Sequence, residues 1–132
     1  MRVVILGCGR VGAHLAKTMA AGGHQVTVID RDSASFARLG PDFAGDLVLG
    51  IGIDEDVLRR AGIEQADAFV AVTNGDNTNV MAAQVAKKIF QVPRAICRIY
   101  DPLREDLYRT LGLETFCPTI LGSARIQEIL GG

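Results

Sequence analysis

The sequence predicts an α/β domain in which about six parallel strands form a doubly wound sheet with helices on both faces. Short apolar runs alternate with helical segments along the chain, and no two runs are joined by a hairpin signal. A glycine-rich turn separates the first run from the first helix. With 132 residues, 48% of them hydrophobic, the chain can bury the core of one such domain, residues 1–132.

The first strand, turn and helix are expected at residues 3–21. Gly7, Gly9 and Gly12 have the G-x-G-x-x-G spacing of dinucleotide-binding turns. Gly7 would allow a sharp turn out of the strand, Gly9 the close approach of a pyrophosphate, and Gly12 tight packing of helix on sheet. The phosphates would lie at the helix N-terminus, where free N–H groups and the helix dipole favour an anion. These features predict a Rossmann-type sheet.

The second strand, residues 26–29, ends in Asp30, which follows Gly12 by 18 residues. A carboxylate at this position accepts hydrogen bonds from ribose hydroxyls and repels a 2′-phosphate. The alternative is that Asp30 is the N-cap of the following helix or an acid of the turn, although Asp32 and Ser33 are also placed to cap that helix. We therefore expect Asp30 to bind the ribose of an adenosine ligand.

The remaining elements are apolar runs bounded by helix caps and stop signals. Strands are expected at residues 46–49, 68–72, 95–99 and 115–117. Helices are expected at residues 33–39, 54–61, 77–90, 102–111 and 118–130. Asp54 and Asp101 are the expected N-caps of the helices at residues 54–61 and 102–111, and Gly40-Pro41 and Gly62 end the helices at residues 33–39 and 54–61.

Ligand contacts are expected outside the carboxyl ends of the strands, at the switch point between the first and fourth strands. The candidate nucleotide-binding residues are Gly7, Cys8, Gly9, Arg10, Val11, Gly12, Asp30, Arg31, Gly50, Ile51, Gly52, Ile53, Thr73, Asn74 and Arg98. Asp32 and Gly75 belong to the same stretches.

The composition argues against several classes of partner. The net charge of −1 gives no electrostatic reason to expect nucleic acid or an anionic membrane as a direct partner. No apolar run reaches the roughly 18 residues of a membrane span, and no signal peptide is expected before the first strand. Cys8, Cys97 and Cys117 include no C-x-x-C pair, which fits a reducing cytoplasm and argues against a disulfide framework or a metal site. Cys8 is interpreted as a small filler residue or, alternatively, a redox-sensing thiol.

Catalytic groups are not expected at the carboxyl edge of the sheet. His14 lies in the first helix and His24 in the turn after it, while Tyr100 and Tyr108 lack a lysine four residues later. No Walker lysine follows the glycine turn. A nucleotide-binding fold without these groups favours sensing over catalysis, so we expect the chain not to be an enzyme.

The sequence resembles the N-terminal (TrkA-N) domain of the RCK/KTN family, found in cytoplasmic regulatory subunits of bacterial potassium uptake systems. The matching stretches are residues 3–12, 28–32, 61–68, 71–73, 77–79, 98–102 and 111–112. The combination of G-x-G-R-x-G, A-G-I-x-x-A-D and T-N is more specific than the glycine motif alone. The resemblance implies a domain that binds NAD(H), ATP or ADP and controls a potassium transporter or channel.

The resemblance also implies roles for single residues. Arg10 would reach a pyrophosphate or a terminal phosphate, or would be a solvated arginine of the first helical turn. Arg98 would face the phosphates or the second half of a dinucleotide, or would form a structural ion pair. Thr73 and Asn74 would line the nicotinamide-side ribose, and Asn79 would hydrogen-bond the loop backbone.

The chain departs from the family pattern after the third strand. The family usually has Gly-Asp-Ala/Gly-Thr-Asp there, and this chain has Gly50-Ile51-Gly52-Ile53-Asp54. An apolar wall could stack on a purine, but base-edge hydrogen bonds are put in question. We therefore expect affinity or nucleotide preference to differ from the family norm.

Partners follow from the resemblance as well. It implies pairing through the terminal helices, about residues 103–130, into a homodimer or higher homo-oligomer. It further implies a membrane-embedded potassium transporter subunit, contacted at the inner face of the cell membrane. Leu103, Leu107 and Leu111 share one face of a helix, and the final helix has apolar residues on more than one side, which favours a partner surface.

Two other interpretations stay open. The chain could be the NAD-binding domain of a truncated oxidoreductase, which a substrate-dependent absorbance change of bound nicotinamide would favour. It could also be an assembly protein with a vestigial pocket, which Ile51 and Ile53 would fit and a failure to bind any adenine nucleotide would favour.

Overall fold

A computed structural model describes residues 1–132, which form one six-stranded parallel sheet in the order β3-β2-β1-β4-β5-β6. The strands are β1 Arg2–Leu6, β2 Gln25–Asp30, β3 Asp46–Leu49, β4 Ala68–Ala71, β5 Arg94–Arg98 and β6 Glu114–Phe116. The strand order reverses at β1, so β1 and β4 meet at the switch point of a doubly wound sheet. The predicted fold class and strand number are confirmed.

Five α-helices connect or follow the strands. They are α1 Arg10–Ala21, α2 Glu55–Arg60, α3 Asp76–Gln84, α4 Pro102–Arg109 and α5 Pro118–Leu130. Asp54 and Asp101 cap α2 and α4 as predicted, because each side chain accepts a hydrogen bond from the N–H two residues later. None of the helices is both long and apolar enough to span a bilayer.

Two predicted helices have a different geometry. Ser33–Leu39 is a 3₁₀ helix, a form that is common in short connecting segments. The helix expected at residues 77–90 begins at Asp76, and its last turn, Val85–Ile89, is π-helical. In that turn the N–H of Phe90 donates to the carbonyl of Val85, five residues back, at 3.3 Å.

Apolar layers cover both faces of the sheet. Leu6 and Phe69 belong to the layer beneath α2 and α3, whereas Ile5 and Val70 belong to the layer beneath α1. Residues 3–6 of β1 and all of β4 are buried between the two layers, and for this reason they are apolar at every position. This explains the uninterrupted apolar runs from which the parallel sheet was predicted.

The register of the strands brings the turns together. Leu6 at the end of β1 lies opposite Ile29 of β2 and Ala71 of β4, and Asp30 lies opposite Leu49 of β3. The residues that follow these strands therefore emerge side by side at the carboxyl edge of the sheet. The glycine turn lies in the middle of that edge.

Helix α5 is the exception to this packing. None of its residues is buried, and Leu130 is 81% exposed. The apolar side chains of α5 therefore add nothing to the core of the domain.

Candidate nucleotide-binding site

A cavity of about 410 Å³ opens at the carboxyl edge of the sheet, at the switch point. Its walls come from segments that follow β1, β2, β3 and β4. The lining residues are Leu6, Gly7, Gly9, Asp30, Arg31, Ser35, Arg38, Gly50, Ile51, Gly52, Ile53, Val72, Thr73, Asn74, Gly75 and Thr78. We call this cavity the cleft.

A second cavity, of about 720 Å³, lies at the opposite end of β1, β2 and β3, around Arg2, His24 and Arg60. It is larger than the cleft, but the glycine turn and the N-terminus of α1 are not part of it. The cleft is therefore the candidate site, because its backbone N–H groups can meet phosphates.

The three motif glycines are needed for three different reasons. Gly7 has φ +111°, and a Cβ there would lie 3.0 Å from backbone atoms of Val72 and Thr73. At Gly12 a Cβ would lie 1.8 Å from the carbonyl oxygen of Gly7, so α1 packs against the turn without room for a side chain. A Cβ on Gly9 would meet nothing within 4 Å. The space above Gly9 is therefore open to a ligand.

The N-terminus of α1 is available for an anion. Gly9 is its N-cap and provides no side-chain hydrogen bond to the first turn, which also contains no acidic residue. Arg10, the first residue of the helix, is exposed. Free N–H groups, the positive end of the helix dipole and an exposed cation together favour phosphate binding.

Asp30 is held in place by backbone donors. One of its carboxylate oxygens accepts the N–H of Cys8 at 2.8 Å, and the other accepts the N–H of Asp32 at 2.9 Å. A carboxylate has about four acceptor positions, so both oxygens can still accept a ribose hydroxyl. Asp32, rather than Asp30, caps the following helix, because its side chain accepts the N–H of Ala34. Asp30 is therefore not the cap of this helix, but the hydrogen bond that it accepts from the N–H of Asp32, two residues later, is the bond of a turn acid.

Cys8 links the glycine turn to the 3₁₀ helix. Its side chain is fully buried and its thiol donates to the carbonyl of Ser35 at 3.3 Å. Burial raises the pKa of the Cys8 thiol, and the nearby Asp30 carboxylate raises it further. Three free, buried cysteines are present in the chain, and no group of three or more histidine, cysteine or acidic side chains is placed to hold a metal.

Asn79 holds the turn after β4, which forms another wall of the cleft. Its side-chain oxygen accepts the N–H of Thr73 at 2.9 Å and the Thr73 hydroxyl at 2.7 Å. Its amide nitrogen donates to the carbonyls of Thr73 at 3.1 Å and Arg98 at 3.0 Å. The structure thus places Asn79 where the resemblance implied, against the loop backbone.

Arg98 lies behind this turn and not in the wall of the cleft. It is only 6% exposed and donates to the carbonyls of Val72 and Thr73, both at 2.8 Å. Its guanidinium carbon lies 4.7 Å from the centre of the Tyr100 ring. The alternative of a structural ion pair does not hold, because backbone carbonyls and an aromatic ring surround the guanidinium.

The structure divides the predicted site residues into two groups. Ten of them line the cleft: Gly7, Gly9, Asp30, Arg31, Gly50, Ile51, Gly52, Ile53, Thr73 and Asn74. The others lie outside its lining: Cys8, Arg10, Val11, Gly12 and Arg98. Cys8 and Gly12 pack against the glycine turn, and Arg98 packs against the turn after β4, so these three residues position the backbone of the cleft wall. Arg10 and Val11 are exposed at the start of α1.

The cleft also contains residues that the sequence did not indicate. Arg38 lies on the 3₁₀ helix, well beyond the end of β2, and its guanidinium donates to the carbonyl of Cys8 at 3.4 Å. Ser35 is on the same helix, and Thr78 is in the first turn of α3. These residues are missed by a search limited to the positions directly after strands. Extending the search to the first turns of the following helices would have found Thr78 and Ser35.

The sequence matches the family model described as the TrkA-N domain over residues 3–118. It is 55% identical over 115 residues to the Trk system potassium uptake protein TrkA of Streptomyces coelicolor, covering 87% of this chain and 52% of that protein. It is 37% identical over 102 residues to the TrkA protein of Vibrio alginolyticus, covering 77% of this chain and 22% of that protein. The chain thus spans about half the length of the first relative and about a fifth of the second.

Solved structures share the fold at lower identity. The TrkA-N domain of the inner membrane protein YbaL from Escherichia coli has a TM-score of 0.87 at 18% identity, covering 98% of this chain and 96% of that one. GsuK bound to ADP has a TM-score of 0.82 at 21% identity, covering 98% and 34%. The GsuK channel bound to NAD has a TM-score of 0.72 at 17% identity, covering 86% and 21%. From its sequence match and its fold, the chain belongs to the TrkA-N domain family.

Proposed function

We propose that this domain binds an adenine nucleotide, NAD(H) or ATP/ADP, and regulates a potassium transporter or channel. The observation that carries this proposal is the cleft itself, in which an open glycine turn, an uncapped helix N-terminus and a fixed carboxylate meet at the switch point. The potassium-uptake relatives and the ADP- and NAD-bound GsuK structures support it.

The nucleotide would lie across the cleft in a defined direction. Its phosphates would lie above Gly9 at the N-terminus of α1, with Arg10 reaching the pyrophosphate or a terminal phosphate. The adenosine ribose would contact Asp30. The second ribose of a dinucleotide would lie against Thr73 and Asn74, which form the opposite end of the cleft.

Sensing suits this cleft better than catalysis. Asp30 is its only carboxylate, and the cleft lining contains no histidine, cysteine, lysine or tyrosine. His24 lies next to the N-terminal amine of Met1, 3.0 Å from it, and lines the cavity at the other end of the sheet. General acid–base chemistry on a second substrate has no candidate group here. A regulatory role is therefore the better interpretation of the site.

Exposed apolar side chains on α4 and α5 would form the contacts between copies of the domain. Leu103 and Leu107 on α4 are 91% and 61% exposed, and the apolar residues of α5 are exposed as well. Such surfaces favour contact with a second copy of the chain, as a homodimer or higher homo-oligomer. The assembled domains would act from the cytoplasm on a membrane-embedded potassium transporter subunit, without inserting into the membrane themselves.

Ligand binding is tested first by thermal unfolding with NAD+, NADH, ATP, ADP, AMP and NADP+. A ligand that binds only the native state raises the unfolding midpoint by mass action. We expect NAD(H), ATP or ADP to raise it and NADP+ to have no effect, because Asp30 repels a 2′-phosphate. A midpoint unchanged by every ligand would contradict the proposal. A substrate-dependent absorbance change of bound nicotinamide would instead favour an oxidoreductase.

Regulation is tested with the full-length protein and its transporter. Potassium uptake is measured in cells whose chromosomal copy carries Asp30→Ala or the surface control Asp42→Ala. We expect the first variant, and not the second, to change the uptake rate at equal protein level. Equal uptake in the two variants would contradict the proposal that nucleotide binding controls potassium transport.

A further inference from the structure

We propose that Arg38 is a ligand-binding residue of the cleft and that its guanidinium holds the phosphate joined to the ribose of the bound nucleotide. This rests on the proposed function, since it assumes a nucleotide in the cleft, and it assigns a contact to a residue outside the glycine turn. The contact makes the 5′-phosphate, which AMP, ADP, ATP and NAD(H) share, a determinant of affinity.

The 3₁₀ helix holds the backbone of Arg38 beside the glycine turn. Leu39, the next residue, is only 4% exposed and belongs to the apolar layer beneath α1. On the other side of Arg38, the carbonyl of Ser35 accepts a hydrogen bond from the thiol of Cys8, which lies inside the turn, at 3.3 Å. Contacts on both sides of Arg38 therefore keep this segment against the turn.

The side chain of Arg38 lines the cleft with most of its hydrogen-bonding capacity free. One guanidinium nitrogen donates to the carbonyl of Cys8 at 3.4 Å, which is longer than a usual N–H···O bond, and the side chain makes no other hydrogen bond. A guanidinium presents a planar fork of N–H donors that fits the oxygens of a phosphate. The other donors of Arg38 can therefore meet a ligand.

Arg38 and Asp30 both lie beside Cys8 but do not pair with each other. The N–H of Cys8 donates to the carboxylate of Asp30, and the carbonyl of Cys8 accepts from Arg38. The arginines that form ion pairs in this chain are Arg59, Arg94, Arg109 and Arg125. A cation and a carboxylate that contact the same turn residue without pairing leave both charges open to a ligand.

A nucleoside 5′-phosphate carries the complementary groups on one sugar. Its ribose hydroxyls can donate to Asp30, while the phosphate of the same sugar accepts from Arg38. Because Cys8 directly precedes Gly9, this phosphate also stays within reach of the free N–H groups at the start of α1. Arg10, which does not line the cleft, then serves the phosphates farther from the ribose.

The test is isothermal titration of the purified chain with ADP, comparing wild type with Arg38→Ala in one buffer. We expect the dissociation constant of ADP to rise about tenfold in Arg38→Ala, because hydrogen bonds between charged groups are lost. Arg38 is exposed, so the thermal unfolding midpoint without ligand should not change. Lys88→Ala removes an exposed cation outside the cleft and should leave ADP binding unchanged. A rise of less than about threefold in Arg38→Ala overturns the inference.

The salt dependence of ADP binding separates a phosphate contact from a supporting role. Removing a direct charge contact makes the dissociation constant less sensitive to salt, whereas losing support for the turn weakens binding by the same factor at every salt concentration. We expect a shallower salt dependence in Arg38→Ala and its recovery in Arg38→Lys, which keeps the charge but not the planar fork. The same salt dependence in wild type and Arg38→Ala would show that Arg38 does not touch the phosphate.

Failure of this inference is distinct from failure of the proposed function. If neither ADP nor any other adenine nucleotide binds wild type, the cleft is not a nucleotide site and the proposed function is wrong. If ADP binds wild type and Arg38→Ala equally tightly, the nucleotide site stands and only the role of Arg38 is wrong.

Discussion

Asn79 and Thr73 are joined by three hydrogen bonds, since the Asn79 side chain accepts from both the N–H and the hydroxyl of Thr73 and donates to its carbonyl. Asn79 is fully buried, on α3, whereas Thr73 lies in the turn that forms a wall of the cleft. The same amide also donates to the carbonyl of Arg98 at the end of β5. One buried side chain thus connects a helix, a strand end and a ligand-facing turn.

Replacing Asn79 tests the importance of this connection. Asn79→Ala leaves the N–H of Thr73 and the carbonyl of Arg98 without their partner in a buried site. We expect a loss of about 3 kcal/mol in the free energy of unfolding, measured by urea denaturation. Asn77→Ala, an exposed position on the same helix, is the matched control and should change it by less than about 0.5 kcal/mol. Equal effects of the two substitutions would contradict this account.

Gly9 and Gly12 should respond differently to substitution. Gly9→Val is expected to fold normally and to lose nucleotide binding, because its side chain would occupy the open space where phosphates lie. Gly12→Ala is expected to destabilise the fold by at least about 3 kcal/mol, because its Cβ would lie 1.8 Å from a backbone oxygen. Thermal unfolding and calorimetric titration of each variant separate the two effects. A folded Gly9→Val protein that binds normally would show that the site is elsewhere.

Asp30 is expected to determine affinity for the ribose. Asp30→Ala removes a carboxylate that two backbone N–H groups hold towards the cleft. We expect the dissociation constant of ADP or NAD+ to rise roughly 10- to 100-fold, with a smaller penalty against NADP+. Asp42→Ala, an exposed position outside the cleft, is the control. Unchanged ADP affinity in Asp30→Ala would show that Asp30 does not contact the ligand.

Cys97 should make stability depend on alkaline pH. Burial raises the pKa of Cys97 to about 11, and the Asp76 carboxylate also raises it. The unfolded thiol ionises near its ordinary pKa of 9.0, so the contribution is complete below pH 9 and is lost as the pH rises towards 11. Up to pH 11, we expect the free energy of unfolding of wild type to fall by as much as ~2.3 kcal/mol more than that of Cys97→Ala. Parallel denaturation curves of the two proteins from pH 8 to 11 would contradict it.

The exposed residues of α5 should contribute to assembly and not to the fold. Ile129 is 68% exposed, so Ile129→Asp is expected to leave the thermal unfolding of the monomer unchanged. We expect the variant to shift sedimentation towards monomer, because a charge replaces an apolar contact between copies. The exposed Glu128→Ala is a control at the neighbouring position. An unaltered oligomer in Ile129→Asp would place the interface elsewhere.

Much of the fold follows from the sequence because buried parallel strands need uninterrupted apolar runs, as in β1 and β4. The caps at Asp54 and Asp101 were predictable for a similar reason, since each depends on contacts within a few residues. The 3₁₀ geometry of Ser33–Leu39 was not, because apolar spacing over so few residues does not distinguish it from an α-helix.

The positions of some site residues could likewise be predicted from their place in the sequence, whereas others depend on contacts between distant parts of the chain. Asp30 could be placed because its position at a strand end determines where its short side chain points. Arg98 also ends a strand, but its long side chain folds back on the carbonyls of Val72 and Thr73, 26 and 25 residues away in sequence. Arg38 enters the cleft only because the 3₁₀ helix packs beside Cys8. Such placements depend on tertiary packing that spacing does not encode.

Helix α5 has 13 residues and buries none of them. An isolated helix of this length is only marginally stable in water, since nucleation is costly and propagation alone gains little. In the assembly proposed above, contact with a second copy would supply the stabilisation that the sheet of the same chain does not, so the helicity of α5 would depend on protein concentration. Folding of this last segment and association of the subunits would then be a single equilibrium, and a ligand that shifts association would also shift helix content.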